Sequence, residues 1–136
     1  MQNKIKTLKT IHFAICAGTI IAYIFIGQLS IDKLMIQSID PTEYIYIAIP
    51  ILAFVLSNFL FKYQMKQVDP KLGMEDNLPV YQNASLIKWA ILEGAAMVIL
   101  FTKPDFLIYG LSIIVYLMYI RPTEDRIMSD IQNVSN

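Results

Sequence analysis

Four apolar runs, separated by short polar segments, dominate the chain at about residues 11–29, 44–61, 86–102 and 106–120. A hydrocarbon core of ~30 Å takes about 20 helical residues, and fewer where the bilayer thins or flanking side chains snorkel. The pattern predicts an all-α polytopic membrane protein. Its four transmembrane helices form two antiparallel hairpins in one domain over residues 1–136, with a short amphipathic helix at the C-terminal end.

The polar segments carry their own signals. Residues 62–85 form the expected cytoplasmic loop. Within it Asp69-Pro70-Lys71-Leu72-Gly73 reads as a turn, and Asn77-Leu78-Pro79 as a helix start with Asn77 as its cap. Met65, Val68, Leu72, Met74 and Leu78 are apolar yet outside the spans, so they should pack on the inner mouth of the bundle or on a partner. In the tail, 121–136, Pro122 stops the fourth span and Thr123 can cap a new helix, whose first turn holds Glu124 and Asp125. Ile127, Met128, Ile131 and Val134 share one face of it, as in a helix lying at a membrane surface. Pro50, inside span two, removes a backbone donor and predicts a kink.

Composition agrees with a lipid environment. Hydrophobic residues make up 56% and charged residues 16%, with mean hydropathy +0.51, whereas soluble domains are roughly 25% charged. The net charge of zero gives no basic face for nucleic acid. Cys16 is the single cysteine, which precludes an internal disulfide and reads as a small packing residue. The opening MQNKIKTLKT and its apolar run imitate a signal peptide. The run is too long, and Gly27-Gln28-Leu29-Ser30-Ile31 offers no small-x-small cleavage site, so an uncleaved first helix is expected.

Basic residues set the orientation. Lys4, Lys6, Lys9, Lys62, Lys66, Lys71, Lys88, Arg121 and Arg126 fall on one side of the four-span frame, and only Lys33 and Lys103 on the other. Lysine and arginine collect in cytoplasmic loops, so both termini should face the cytoplasm of an inner-membrane protein. The first outer loop carries Asp32, Asp40 and Glu43, and the second is only Lys103-Pro104-Asp105, which forces spans three and four into a tight hairpin. Tyr44, Tyr46, Tyr63, Trp89, Tyr116 and Tyr119 fall near the expected interfaces, where amphipathic rings are favoured.

Spans one and three resemble each other. Aligned without a gap over Ile11–Phe25 and Ile87–Phe101, they match at Ile11/Ile87, Ala14/Ala90, Ile15/Ile91, Gly18/Gly94 and Phe25/Phe101. Ala14, Gly18 and Ala22 form a small-residue stripe, with Ala90 and Gly94 as its counterpart. Such stripes let membrane helices approach closely. The expectation is that spans one and three cross near Gly18 and Gly94.

One residue stands against the apolar background. Glu93 lies inside span three, roughly 7–8 Å past the cytoplasmic boundary at 1.5 Å per residue. A charge at mid-span costs on the order of 2.5–3.5 kcal/mol, so Glu93 should face the bundle interior, pair, or stay protonated. Lys88, His12, Asn58 and Ser57 make up the rest of the expected intramembrane polar site, with Thr19, Ser112 and Tyr116 as further candidate partners. His12 alone reads as an interfacial polar residue, since no second histidine or cysteine stands near it to hold a metal. No Ser/His/Asp set, phosphate-binding loop or paired catalytic acids occur, and no cofactor or metal is expected.

The stretch from Tyr81 to Ala96, YQNASLIKWAILEGAA, together with Arg121-Pro-Thr-Glu-Asp-Arg-Ile127, resembles a group of small uncharacterised bacterial four-pass inner-membrane proteins. That resemblance spans nearly the whole chain and implies the topology above. Ile91-Leu-Glu-Gly-Ala-Ala96 is also similar to the proteolipid (c-type) subunits of rotary ATP synthases, which would make Glu93 a proton carrier. Their first helix is glycine-rich, whereas no glycine occurs here between Gly27 and Gly73. Small multidrug-resistance transporters are an analogy at the level of fold, but their glutamate lies in the first helix, where Ala17 stands here. The expected function is a non-enzymatic accessory or assembly role through helix packing. Its partners would be the lipid bilayer and either another membrane protein or a second copy. The alternative is proton- or cation-coupled transport through Glu93.

Overall fold

The computed structural model describes residues 2–26, 44–102 and 107–135. The described residues form five helices and no strand. Helix α1 spans Gln2–Phe25, α2 Tyr44–Met65, α3 Met74–Thr102, α4 Leu107–Tyr119 and α5 Glu124–Ser135. Three of these helices are long and apolar enough to cross a bilayer: α1, α2 and α3. Helix α4 is apolar but has 13 residues, about 20 Å at 1.5 Å per residue. The two connections expected on the outer side, with Asp32, Lys33, Asp40, Glu43, Lys103, Pro104 and Asp105, lie outside the described residues, as do the side chains of Tyr46 and Val134.

Helix α3 is the centre of the bundle and packs against each of the other four. Its inward line runs through Leu78, Tyr81, Ala84, Trp89, Leu92, Ala96 and Ile99. Its most extensive partner is α2. In the apolar part of α2, the buried line is made of two small residues, Ala53 and Ser57, one turn apart. Small side chains at that spacing let two backbones approach. By contrast Ile51, Leu52, Phe54, Val55 and Phe59 are at least half exposed and form an apolar outer face.

The non-helical connection between α2 and α3 is residues 66–73, inside the cytoplasmic segment expected at 62–85. Helix α2 runs on to Met65, and α3 begins at Met74. Asn77 is not the cap of α3. It lies inside the first turn, where Gly73 O accepts the Asn77 N–H at 3.2 Å. Its side chain turns back instead: Oδ1 accepts from Asp69 N–H at 3.0 Å and Nδ2 donates to Asp69 O at 2.9 Å. Met65, Val68 and Leu78 are buried under this turn, while Leu72 stays exposed.

The tail helix forms as its sequence predicts. Thr123 Oγ1 accepts the Arg126 N–H at 3.2 Å, and Thr123 O accepts the Ile127 N–H at 2.9 Å. Ile127 and Ile131 are buried, and Met128 lies at the edge of that face. Helix α5 packs against α3.

The small-residue stripe points elsewhere than expected. Ala14, Gly18, Ala90 and Gly94 are exposed, and only Ala22 is half-buried. A Cβ built on Gly18 or Gly94 would meet nothing within 4 Å. Helix α1 turns His12, Cys16, Thr19 and Tyr23 inward instead, because these carry the larger and polar side chains that the core can satisfy. The close approach involving α1 is at Gly110 of α4. There a Cβ would overlap the Tyr23 hydroxyl and lie 2.6 Å from its Cζ.

Candidate functional site

The polar residues inside the bundle gather near the end that carries the N-terminus of α1, and they form two groups on either side of α3. The first group joins α1, α3 and α4. His12 is buried, and its ring meets Trp89 edge-on at 4.9 Å between centroids. Its Nε2–H donates to Leu117 O at 2.7 Å. That bond fixes the tautomer and leaves Nδ1 as an acceptor, with Cys16 Sγ 3.9 Å away. His12 is therefore a buried residue that links α1 to α4. Trp89 is likewise a core side chain, 1% exposed.

The second group joins α2, α3 and α4. Asn58 Nδ2 donates to Phe54 O at 2.8 Å and to the Tyr116 hydroxyl at 3.1 Å. The Tyr116 ring stacks at a tilt on Phe54, 4.9 Å between centroids. Lys88 places Nζ over Phe61 at 5.0 Å and over Tyr116 at 5.7 Å. Ammonium groups over aromatic faces gain from the ring quadrupole, which offsets part of their desolvation.

Of the expected site residues, Lys88 and Asn58 thus meet through Tyr116, and His12 stands in the other group. Ser57 is fully buried, and its hydroxyl donates to Phe54 O at 3.1 Å within its own helix. Thr19 and Ser112 also donate back to their own helices, at Ile15 O and Tyr109 O. Glu93 is half-buried and lies within electrostatic range of Cys16. Among the described residues it accepts no hydrogen bond and forms no ion pair; the candidate partners are engaged elsewhere. No group of three or more potential metal ligands occurs among the described residues.

Two contributors lack any strong sequence signal. Asp130 of α5 is half-buried beside Lys88 and Arg126. Burial pushes its carboxyl above the ordinary value, and the two cations pull it back in part. Arg126 donates Nη1–H to Tyr119 O at 2.9 Å, with its guanidinium 5.4 Å from the Tyr119 ring centroid. The tail helix is thus tied into the second polar group and covers it from below. Only the amphipathic pattern hinted at this, because spacing within α5 cannot say which helix lies beneath it.

Comparison with family models, with curated proteins and with solved structures finds no match. The functional reading therefore rests on the site and the packing alone.

Proposed function

We propose that this chain is a non-enzymatic, four-pass inner-membrane protein, an accessory or assembly component that acts by helix packing with another membrane protein or a second copy. The observation that carries the reading is the outward direction of Gly18 and Gly94, each with open space where a side chain would stand. In lipid, helices associate through close packing and not through hydrophobic burial, and exposed glycines on apolar helices provide room for it. Helix α4 serves as the fourth span, with bilayer thinning and snorkelling of Arg121 making up its short length. The bias of basic residues supports cytoplasmic termini.

The test is Gly18→Leu and Gly94→Leu, made singly and together, followed by crosslinking in native membranes. Loss of a crosslinked partner or dimer, with the thermal midpoint in detergent unchanged, is the expected result. Unchanged crosslinks would sink the reading.

A second reading keeps a specific observation: the half-buried Glu93 lacks a hydrogen-bond or ion-pair partner among the described residues. A carboxylate so placed suits proton- or cation-coupled transport. Reconstitution in liposomes with a pH-sensitive dye distinguishes the two. Proton flux abolished by Glu93→Gln would replace the packing role with transport.

A further inference from the structure

The same end of the bundle carries a second polar feature that the packing role does not use. A cleft of about 490 Å³ opens between α1 and the junction of α4 with α5. Lys9 and Arg121 line its rim, Phe13 and Met118 form apolar walls, and His12 and Cys16 line it further in. Lys9 and Arg121 are exposed, and among the described residues neither forms an ion pair or donates a side-chain hydrogen bond. Phe13 is 73% exposed and Met118 50%, so the apolar walls are open to the surroundings.

We propose that this cleft binds an anionic phospholipid, its phosphate held between Lys9 and Arg121 and one acyl chain running along Phe13 and Met118. The proposal rests on the membrane reading above. Charge and position commit it to this ligand. Two cations with no internal anion sit where α1 and α4 leave their apolar segments. That is the level of a phosphate headgroup, and basic pockets between membrane helices bind such groups. The volume lies in the range of small-ligand pockets.

The remaining groups fit the same ligand. Thr123 also lines the cleft, and because its hydroxyl oxygen accepts the Arg126 N–H its own O–H is left to donate to a phosphate oxygen. The His12 Nε2–H is already committed to Leu117 O, so His12 is wall and not ligand. Glu124 and Asp125 follow Thr123 but are exposed and do not line the cleft. The apolar walls disfavour free phosphate, which gains nothing from Phe13 or Met118.

The experiment is native mass spectrometry of the full chain in detergent with added phosphatidylglycerol or phosphatidylcholine. The parent should retain phosphatidylglycerol about tenfold better, a ratio of about 1.4 kcal/mol. Lys9→Ala with Arg121→Ala should abolish the preference. Lys62→Ala with Lys71→Ala removes two exposed cations outside the cleft and should leave it intact. Met118→Trp fills the cleft with both charges kept and should also lose the lipid. No preference in the parent, equal loss in the Lys9/Arg121 and Lys62/Lys71 double variants, or full displacement by inorganic phosphate would each overturn the proposal. Failure of the membrane reading is seen separately, as monodisperse protein extracted without detergent.

Discussion

Tyr23 and Gly110 fit together in a way that only glycine allows. A Cβ on Gly110 would overlap the Tyr23 hydroxyl, with the ring carbons Cζ and Cε2 at 2.6 and 2.7 Å. The Tyr23 ring is fully buried, and its hydroxyl donates to Ala96 O, so it cannot swing aside cheaply. One phenol therefore ties α1 to α3 across a gap in α4.

Gly110→Ala should consequently destabilise the bundle. In an ordinary helix this change adds roughly 0.5–1 kcal/mol of stability. Overpacking here should reverse the sign and cost about 1–3 kcal/mol. Gly18→Ala and Gly94→Ala, which meet open space, should be neutral or stabilising. Thermal midpoints of the three variants in one detergent decide the matter, and a Gly110→Ala variant as stable as the other two would remove the close approach.

The same comparison shows what the sequence reveals and where it stops. Long apolar runs require helices wherever they occur, and α1, α2 and α3 follow them. Thr123 before an amphipathic dodecamer likewise foretells α5, because the cap and the face are local. Direction around a helix axis is not local. The Ala14–Gly18 stripe is visible at a spacing of four, but the inward face of α1 is chosen by Tyr23 and His12 finding Ala96 O and Leu117 O on other helices. Gly110 belongs to no small-residue stripe, since Phe106 and Ile114 stand four residues either side. Asn77 is ambiguous for a related reason, because an asparagine at a helix start can bond forward or back with equal ease. Glu93 stood out as costly, yet none of the partners its sequence neighbourhood offers reaches it.

Asn77→Ala should loosen the turn between α2 and α3. Asn77 is 3% exposed and supplies both a donor and an acceptor to Asp69. Removing them leaves two backbone groups short of partners, at about 1–3 kcal/mol. Hydrogen exchange at the Asp69 amide should accelerate, and the thermal midpoint should fall. Unchanged protection at Asp69 would show that the side chain is dispensable there.

Thr123→Ala should act only on the tail. The lost cap bond costs about 1 kcal/mol, and Thr123→Ser should restore it. Amide exchange in α5 should rise at Arg126 and Ile127 while the core amides of α3 stay protected. Equal acceleration throughout α3 would mean that the tail helix is required for the whole bundle.

The pH dependence of the tail follows from Asp130. It faces Lys88 and Tyr81 of α3 and Arg126 of its own helix. Burial is the leading cause of its raised value, and the two cations oppose it. A carboxyl whose folded value is raised favours the docked state as the neutral acid. That contribution is complete below the ordinary carboxylate value of about 3.9. It is lost as pH rises through the raised folded value. The ionised carboxylate is thus the form that burial disfavours in the docked helix. Asp130→Asn, a neutral side chain of the same shape, should raise the thermal midpoint at pH 7, and the advantage should close on acidification toward pH 4. A difference that does not change with pH would remove Asp130 titration as its cause. An asparagine variant less stable at pH 7 would show instead that attraction to Lys88 and Arg126 outweighs burial.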